Sequence, residues 1–101
     1  MQKIVAVTAC PTGIAHTYMA AEKLTQAAQS LGLHIKVETQ GAMGIEHKLN
    51  AQEIANADIV IIASDIKINE LHRFDSSHIF FLNIEDILID AIKTLKTCLP
   101  K

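Results

Sequence analysis

The chain alternates short, continuously apolar runs with stretches of helical spacing. Ile4-Val5-Ala6-Val7 is a β-branched run of the kind a strand covered on both faces requires. From His16 to Leu31 the period changes to that of a helix, with Ala20, Leu24, Ala27, Ala28 and Leu31 on one face and Gly32 as the stop. Leu33, Ile35 and Val37 then alternate with His34, Lys36 and Glu38, which predicts a half-exposed strand at a sheet edge. A glycine-containing loop follows, Gln40-Gly41-Ala42-Met43-Gly44, and Asn50 with Glu53 has the form of a capping box opening a short helix. Ile59-Val60-Ile61-Ile62-Ala63 and Ile79-Phe80-Phe81-Leu82 predict two further buried strands, far enough apart for a parallel crossover. The last element is a helix capped by Asn83, with Glu85 and Asp86 in its first turn. Its apolar face comprises Ile84, Ile87, Leu88, Ala91, Ile92 and Leu95, with Cys98 on the same stripe.

This order predicts a single three-layer α/β domain over residues 1–101. Its sheet has four parallel strands in the order 2-1-3-4, helices on both faces and a phosphate-binding loop after the first strand. In such sheets ligands bind outside the carboxyl ends of the strands, where the strand order reverses. The segments placed there are Ala9 to Ala15, Thr39 to Gly44, Ser64 to Lys67 and the stretch around Asn83.

Composition narrows the function classes. The 101 residues suffice for one core, and a formal charge of −2 with no Trp, one Tyr and three Phe argues against a nucleic-acid surface. No apolar run approaches the roughly 20 residues of a membrane span, and no cleavable leader precedes the first strand, so a cytoplasmic location without direct membrane insertion is expected. The two cysteines, Cys10 and Cys98, suggest no disulfide framework.

Cys10 opens the loop Cys10-Pro11-Thr12-Gly13-Ile14-Ala15-His16-Thr17, which leads from the first strand into the first helix. Successive backbone N–H groups in such a loop can converge on one anion, and the helix N-terminus adds about half a positive charge. That environment suits a phosphate and equally a thiolate. An ordinary cysteine near pKa ~8.5 is only a few per cent ionised at pH 7, whereas one lowered to about 6 is roughly nine-tenths thiolate. Gly13 permits close backbone approach, and Pro11 stiffens the turn. Two readings of Cys10 stand on these grounds, an activated nucleophile and an inert small hydrophobe after a buried strand.

The segment Val7-Thr8-Ala9-Cys10-Pro11-Thr12-Gly13-Ile14-Ala15-His16-Thr17-Tyr18-Met19-Ala20-Ala21-Glu22 closely resembles the phosphorylation-site loop of the fructose-type enzyme IIB proteins of the bacterial phosphoenolpyruvate-dependent sugar phosphotransferase system. Lys36-Val37-Glu38-Thr39-Gln40-Gly41 with Gly44, Ala57-Asp58, Ala63-Ser64-Asp65-Ile66-Lys67 and Arg73-Phe74 extend the resemblance; beyond Phe74 it thins to agreement in fold. The resemblance implies a phosphoryl relay without a cofactor or metal. A phosphohistidine on a IIA partner donates to Cys10, and the phosphocysteine passes the group to a fructose or fructose-like sugar held by the membrane IIC component. It also implies a phosphate loop formed by Pro11, Thr12, Gly13, Ile14, Ala15, His16 and Thr17. The hydroxyls of Thr12 and Thr17 and the His16 imidazole are additional donors, although His16 equally suits plain packing at a helix start.

Other classes fit less well. Low-molecular-weight tyrosine phosphatases and thiol arsenate reductases place an arginine six residues after the nucleophile, where its fork grips phosphoryl oxygens. Here that position is His16, and the one arginine is Arg73. No Asp-Pro general-acid loop is present, so neither charge stabilisation nor activated water for hydrolysis is visible. Redox chemistry lacks a CxxC partner for Cys10, and His16, His34, His47, His72 and His78 have no metal-ligand spacing. A phosphate-dependent regulatory docking module remains the non-enzymatic alternative. Pro11, Ile14, Met43 and Ile45 are candidates for a transient docking face, with Met43 and Ile45 equally suited to covering a sheet edge. Glu38 and Asp65 are acidic groups near strand ends that oppose a phosphorylated Cys10, so they are expected to point away from it or to assist product release.

Overall fold

The structure is a computed structural model that describes residues 3–9, 15–41, 44–64, 66–74 and 79–99. Its elements run β1 (Lys3–Ala9), α1 (Ala15–Ser30), β2 (His34–Gly41), β3 (Gly44–Glu46), α2 (Ala51–Ala55), β4 (Ile59–Ser64), a 3-10 turn (Leu71–Arg73), β5 (Ile79–Leu82), α3 (Ile84–Ile89) and α4 (Ala91–Lys96). The sheet order is β3-β2-β1-β4-β5. β1 is paired in parallel with both β2 and β4, and β4 in parallel with β5.

The expected four-stranded parallel sheet needs correcting. Its four strands are present in the expected order, but β3 adds a fifth, antiparallel to β2 through Thr39–Glu46, Gln40–Ile45 and Gly41–Gly44. The sheet is therefore mixed, and β2 is an inner strand. Gly44 at φ 88 supplies the left-handed backbone with which the chain re-enters the sheet.

Alternation along β1 divides the core between two faces. On one, Ile4 and Ala6 pack with Ala20, Leu24, Ala27 and Ala28 of α1, with Ile84, Ile87 and Leu95 of α3 and α4, and with Cys98 just beyond α4. On the other, Val5, Val7 and Ala9 pack with Leu49, Val60, Ile62, Ile68 and Phe74. Each fully buried Ile or Leu among these contributes about 1.5–3 kcal/mol relative to exposure. α1 ends at Gly32 (φ 70), where Leu33 N–H donates to the Ala28 carbonyl at 2.8 Å and Gly32 N–H to that of Gln29 at 3.1 Å.

The second face has little helix to cover it, so the start of α2 matters. Asn50 accepts from Glu53 N–H at 2.7 Å while Glu53 accepts from Asn50 N–H at 3.0 Å, the capping box expected from sequence. Lys36 reaches across from β2 to the same Glu53 at 2.8 Å. Replacing Asn50 by Ala is expected to cost about 1 kcal/mol, read as a lowered urea midpoint with an unchanged slope.

The C-terminal helix is also broken where one apolar stripe had been expected. Asp90, at φ −154 and ψ 89, leaves helical geometry, and its carboxylate accepts from Lys93 N–H at 3.1 Å as the cap of α4. The new axis keeps Leu95 and Cys98 buried but turns Ile92 outward. Asn83 stands at the start of α3 without a side-chain cap bond. Burial pushes the Cys98 thiol above its ordinary range, in keeping with an inert core group. Among the described residues, no helix is long and apolar enough to cross a membrane and no cluster of metal-ligating side chains occurs.

Candidate functional site

The carboxyl ends of β1, β2 and β4 lie side by side, with Ala9 in register with Gln40 on one side and Ser64 on the other. The chain leaves β1 at Ala9 and re-enters regular structure at Ala15. Cys10, Pro11, Thr12, Gly13 and Ile14, the centre of the expected site, lie outside the described residues, as do Met43 and Asp65. The frame around them is described.

α1 begins at the predicted place, spans 16 residues and carries no acidic side chain in its first turn. Its amino-terminal positive potential is thus not offset locally, the condition under which such an end favours an anion. The Thr8 hydroxyl, fully buried on β1, donates to the Thr17 carbonyl at 3.1 Å and ties this first turn to the sheet. Thr17 is itself fully buried, and its hydroxyl has no partner among the described residues. A buried hydroxyl normally finds a partner, which makes Thr17 the best placed of the side-chain donors that sequence suggested. His16 is exposed. Tyr18 donates to Glu46 Oε1 and so fastens β3 to α1; this bond, then burial and the neighbouring charge of Glu46, raises the phenol above its ordinary range.

On the opposite face, Glu38 and Gln40 enter a network with residues far along the chain. Glu38 is 0 % exposed and receives both arms of the Arg73 fork, at 2.8 and 2.7 Å, as well as Leu49 N–H at 2.8 Å. Gln40 donates to Glu38 at 2.8 Å and to the Asn69 carbonyl at 3.0 Å, and accepts from Asn69 N–H at 2.7 Å. Arg73 also donates to the carbonyls of Glu70 at 3.0 Å and Leu49 at 3.1 Å, and its guanidinium lies 5.0 Å from the centre of the Phe74 ring. Burial alone raises the Glu38 carboxyl. The hydrogen bonds from Arg73, Gln40 and Leu49, with the Arg73 charge, outweigh it and hold the carboxyl below its ordinary value.

Glu38 therefore differs from the half-exposed acid its alternating strand predicts; a fully paired buried carboxylate fixes structure. Gln40 and Asn69 were missed as contributors in their own right. The available signal was weak, because His34, Lys36, Glu38 and Gln40 make an all-polar face of β2 opposite Ile35 and Val37, which reads as solvated. His34, His47 and His72 are exposed, Ile45 is half-buried at the β3 edge, and Met19 and Ile66 are exposed apolar residues, at 46 and 45 %.

Comparison with known proteins adds an independent line. Residues 5–97 match the family model described as "PTS system, Lactose/Cellobiose specific IIB subunit". The chain is 54 % identical over 94 residues to the PTS system fructose-like EIIB component 2 of Escherichia coli (strain K12), covering 91 % of this chain and 89 % of that protein. It is 56 % identical over 77 residues to the PTS system fructose-specific EIIABC component of Bacillus subtilis (strain 168), covering 76 % of this chain and 12 % of that longer protein. Among solved structures, a domain of the fructose-specific IIABC component of Borrelia burgdorferi superposes with a TM-score of 0.89 at 43 % identity, covering 96 % of this chain and 92 % of that one.

Proposed function

This chain belongs to the fructose-like enzyme IIB family of the phosphotransferase system, and from that premise we propose that Cys10 relays a phosphoryl group from a IIA phosphohistidine to a sugar. The observation that carries the reading is the place of Cys10 in the chain. It follows the last residue of a central parallel strand and precedes a 16-residue helix whose first turn holds no acid. The helix potential favours the thiolate over the thiol, and the loop amides from Thr12 to Thr17, with the Thr17 hydroxyl, receive the phosphoryl oxygens.

In the first step a sulfur lone pair attacks phosphorus and the P–S bond forms. The P–N bond breaks, and its electron pair returns to the imidazole of IIA. In the second, a sugar hydroxyl oxygen attacks phosphorus, the P–S bond breaks and the thiolate is regenerated. The hydroxyl proton leaves to a base on the sugar-holding component. The Bacillus subtilis relative is an EIIABC component, which supports IIA as donor and the membrane IIC component as the site of the fructose or fructose-like acceptor. On this reading the domain, taken as residues 1–101, works in the cytoplasm.

Hydrolysis is disfavoured by the same frame. A phosphatase needs a cationic fork at the phosphoryl oxygens, and Arg73, the one arginine in the sequence, has its fork occupied by Glu38. A relay gains from that absence, since water attack on phosphocysteine wastes the group.

The test is incubation with phosphoenolpyruvate, the general phosphotransfer proteins and a fructose-type IIA, followed by intact-mass measurement. The chain is expected to gain one phosphoryl group and to keep it until sugar and permease are supplied. No gain while IIA is phosphorylated, or steady release of inorganic phosphate without sugar, overturns the reading.

A further inference from the structure

The chain leaves β4 at Ser64, in register with Ala9 on β1. A few residues later, the backbone of Asn69 is bonded to Gln40, which is in register with Ala9 on the other side. The segment of residues 66–68 therefore lies by the carboxyl end of β1 on the face away from α1. Ile68 is its anchor, buried in the same cluster as Val7, Ala9 and Ile62. Ile66 and Lys67 form its exposed crest. Ala9, the last residue of β1 before Cys10 in the sequence, thus has the first turn of α1 on one face of its strand and residues 66–68 on the other.

What holds the segment is side-chain chemistry. Between Ser64 and Asn69 the described local bonds are those of the Ser64 hydroxyl, which accepts from Ile66 N–H at 3.0 Å and donates to the Ile66 carbonyl. The link across to β2 is the Gln40 amide, using its oxygen on Asn69 N–H and its nitrogen on the Asn69 carbonyl. Gln40 is oriented in turn by Glu38, which the Arg73 fork and Leu49 N–H fix. Arg73 holds the next carbonyl, that of Glu70. A buried network satisfied at every step rigidifies what it touches.

We infer that Gln40 is a positioning residue for phosphoryl transfer: by clasping Asn69 it fixes the Ile66–Lys67 crest at the rim that the phosphohistidine partner must meet. The inference rests on the relay reading and deepens it by naming part of the surface that receives IIA. Gln40 lies on the face opposite the start of α1, so its removal leaves the amides and helix potential around the thiolate in place. The loss falls on association and spares the chemical step.

Gln40→Ala is expected to raise the KM for phosphorylated IIA about tenfold, the size of one or two lost hydrogen bonds, with kcat within about twofold. A merely structural defect lowers the active fraction, hence apparent kcat, and leaves KM alone. Ile66→Ser alters an exposed side chain outside the network and is expected to raise KM in the same direction; it decides the matter if Gln40→Ala does not fold. An unchanged KM in a folded Gln40→Ala, or a fall in kcat alone, overturns the inference while the relay stands, provided the wild type is phosphorylated. If the wild type accepts no phosphoryl group, both fall together.

Discussion

Replacing Cys10 by Ser is expected to abolish phosphorylation by IIA and phosphoryl transfer to sugar, while leaving the fold intact. The hydroxyl has nearly the shape of the thiol but not its acidity. A cysteine lowered to a pKa of about 6 is roughly nine-tenths ionised at pH 7, whereas a serine hydroxyl at a helix N-terminus stays neutral and lacks a general base. Among the described residues the candidate base nearest in sequence is His16, whose side chain is exposed. The measurement is the rate of phosphoryl gain by intact mass, with the urea midpoint as control for folding. Retention of more than about one per cent of the wild-type rate contradicts the assigned role, because losing a nucleophile ordinarily costs several powers of ten.

The second large effect concerns stability. Arg73→Met keeps the bulk of the side-chain stem but removes the fork, leaving the Glu38 carboxylate buried with only Gln40 and Leu49 N–H. Breaking a buried pair from one side costs about 3–5 kcal/mol, and a loss in that range at pH 7 is expected from urea unfolding. The pH dependence has a definite sign. In the wild type the Glu38 carboxyl lies below its ordinary value. Its contribution is therefore present above the ordinary carboxylate pKa and lost as pH falls through the folded value. In the variant the unpaired group is pushed upward, so it takes a proton earlier and the difference between the two proteins narrows on acidification. Arg73→Lys, with charge but no fork, is expected to fall between them. A loss below about 1 kcal/mol, or a difference independent of pH, contradicts the account of the pair.

Both effects depend on features that differ in how far they can be read from sequence. The helix α1 was legible because Ala20, Leu24, Ala27 and Ala28 repeat on one face and Gly32 closes it; both signals are local. β1 and β4 were legible as short runs rich in Ile, Val and Ala, and β2 by its alternation; the run Ile79–Leu82 marked β5 as a strand but not as a buried one, since Phe80 and Phe81 are exposed. The antiparallel β3 was not legible, because Gly44-Ile45-Glu46 is too short for alternation to register. The break at Asp90 lay hidden inside an apolar repeat that continues through it, where the choice between a helical position and a cap is made by packing.

The site divides in the same way. Cys10 stands only five positions before the first residue of α1, so this part of the expected site was legible as a local pattern in the sequence. Glu38, Gln40, Asn69 and Arg73 are brought together only by the fold, and the Glu38–Arg73 pair spans 35 positions. Alternation could place Glu38 on a face of β2 but could not tell whether water or a guanidinium would meet it. The Thr8–Thr17 bond joins a strand to the following helix and likewise has no periodic signature.

The relay stands or falls on which atom carries the phosphoryl group. The most direct measurement is fragmentation mass spectrometry of the chain phosphorylated by IIA, under conditions that preserve labile phosphoryl bonds. The account predicts a single group on Cys10, released on addition of sugar and permease. A group on His16 or any other side chain, or a phosphorylated IIA that leaves Cys10 bare, contradicts it.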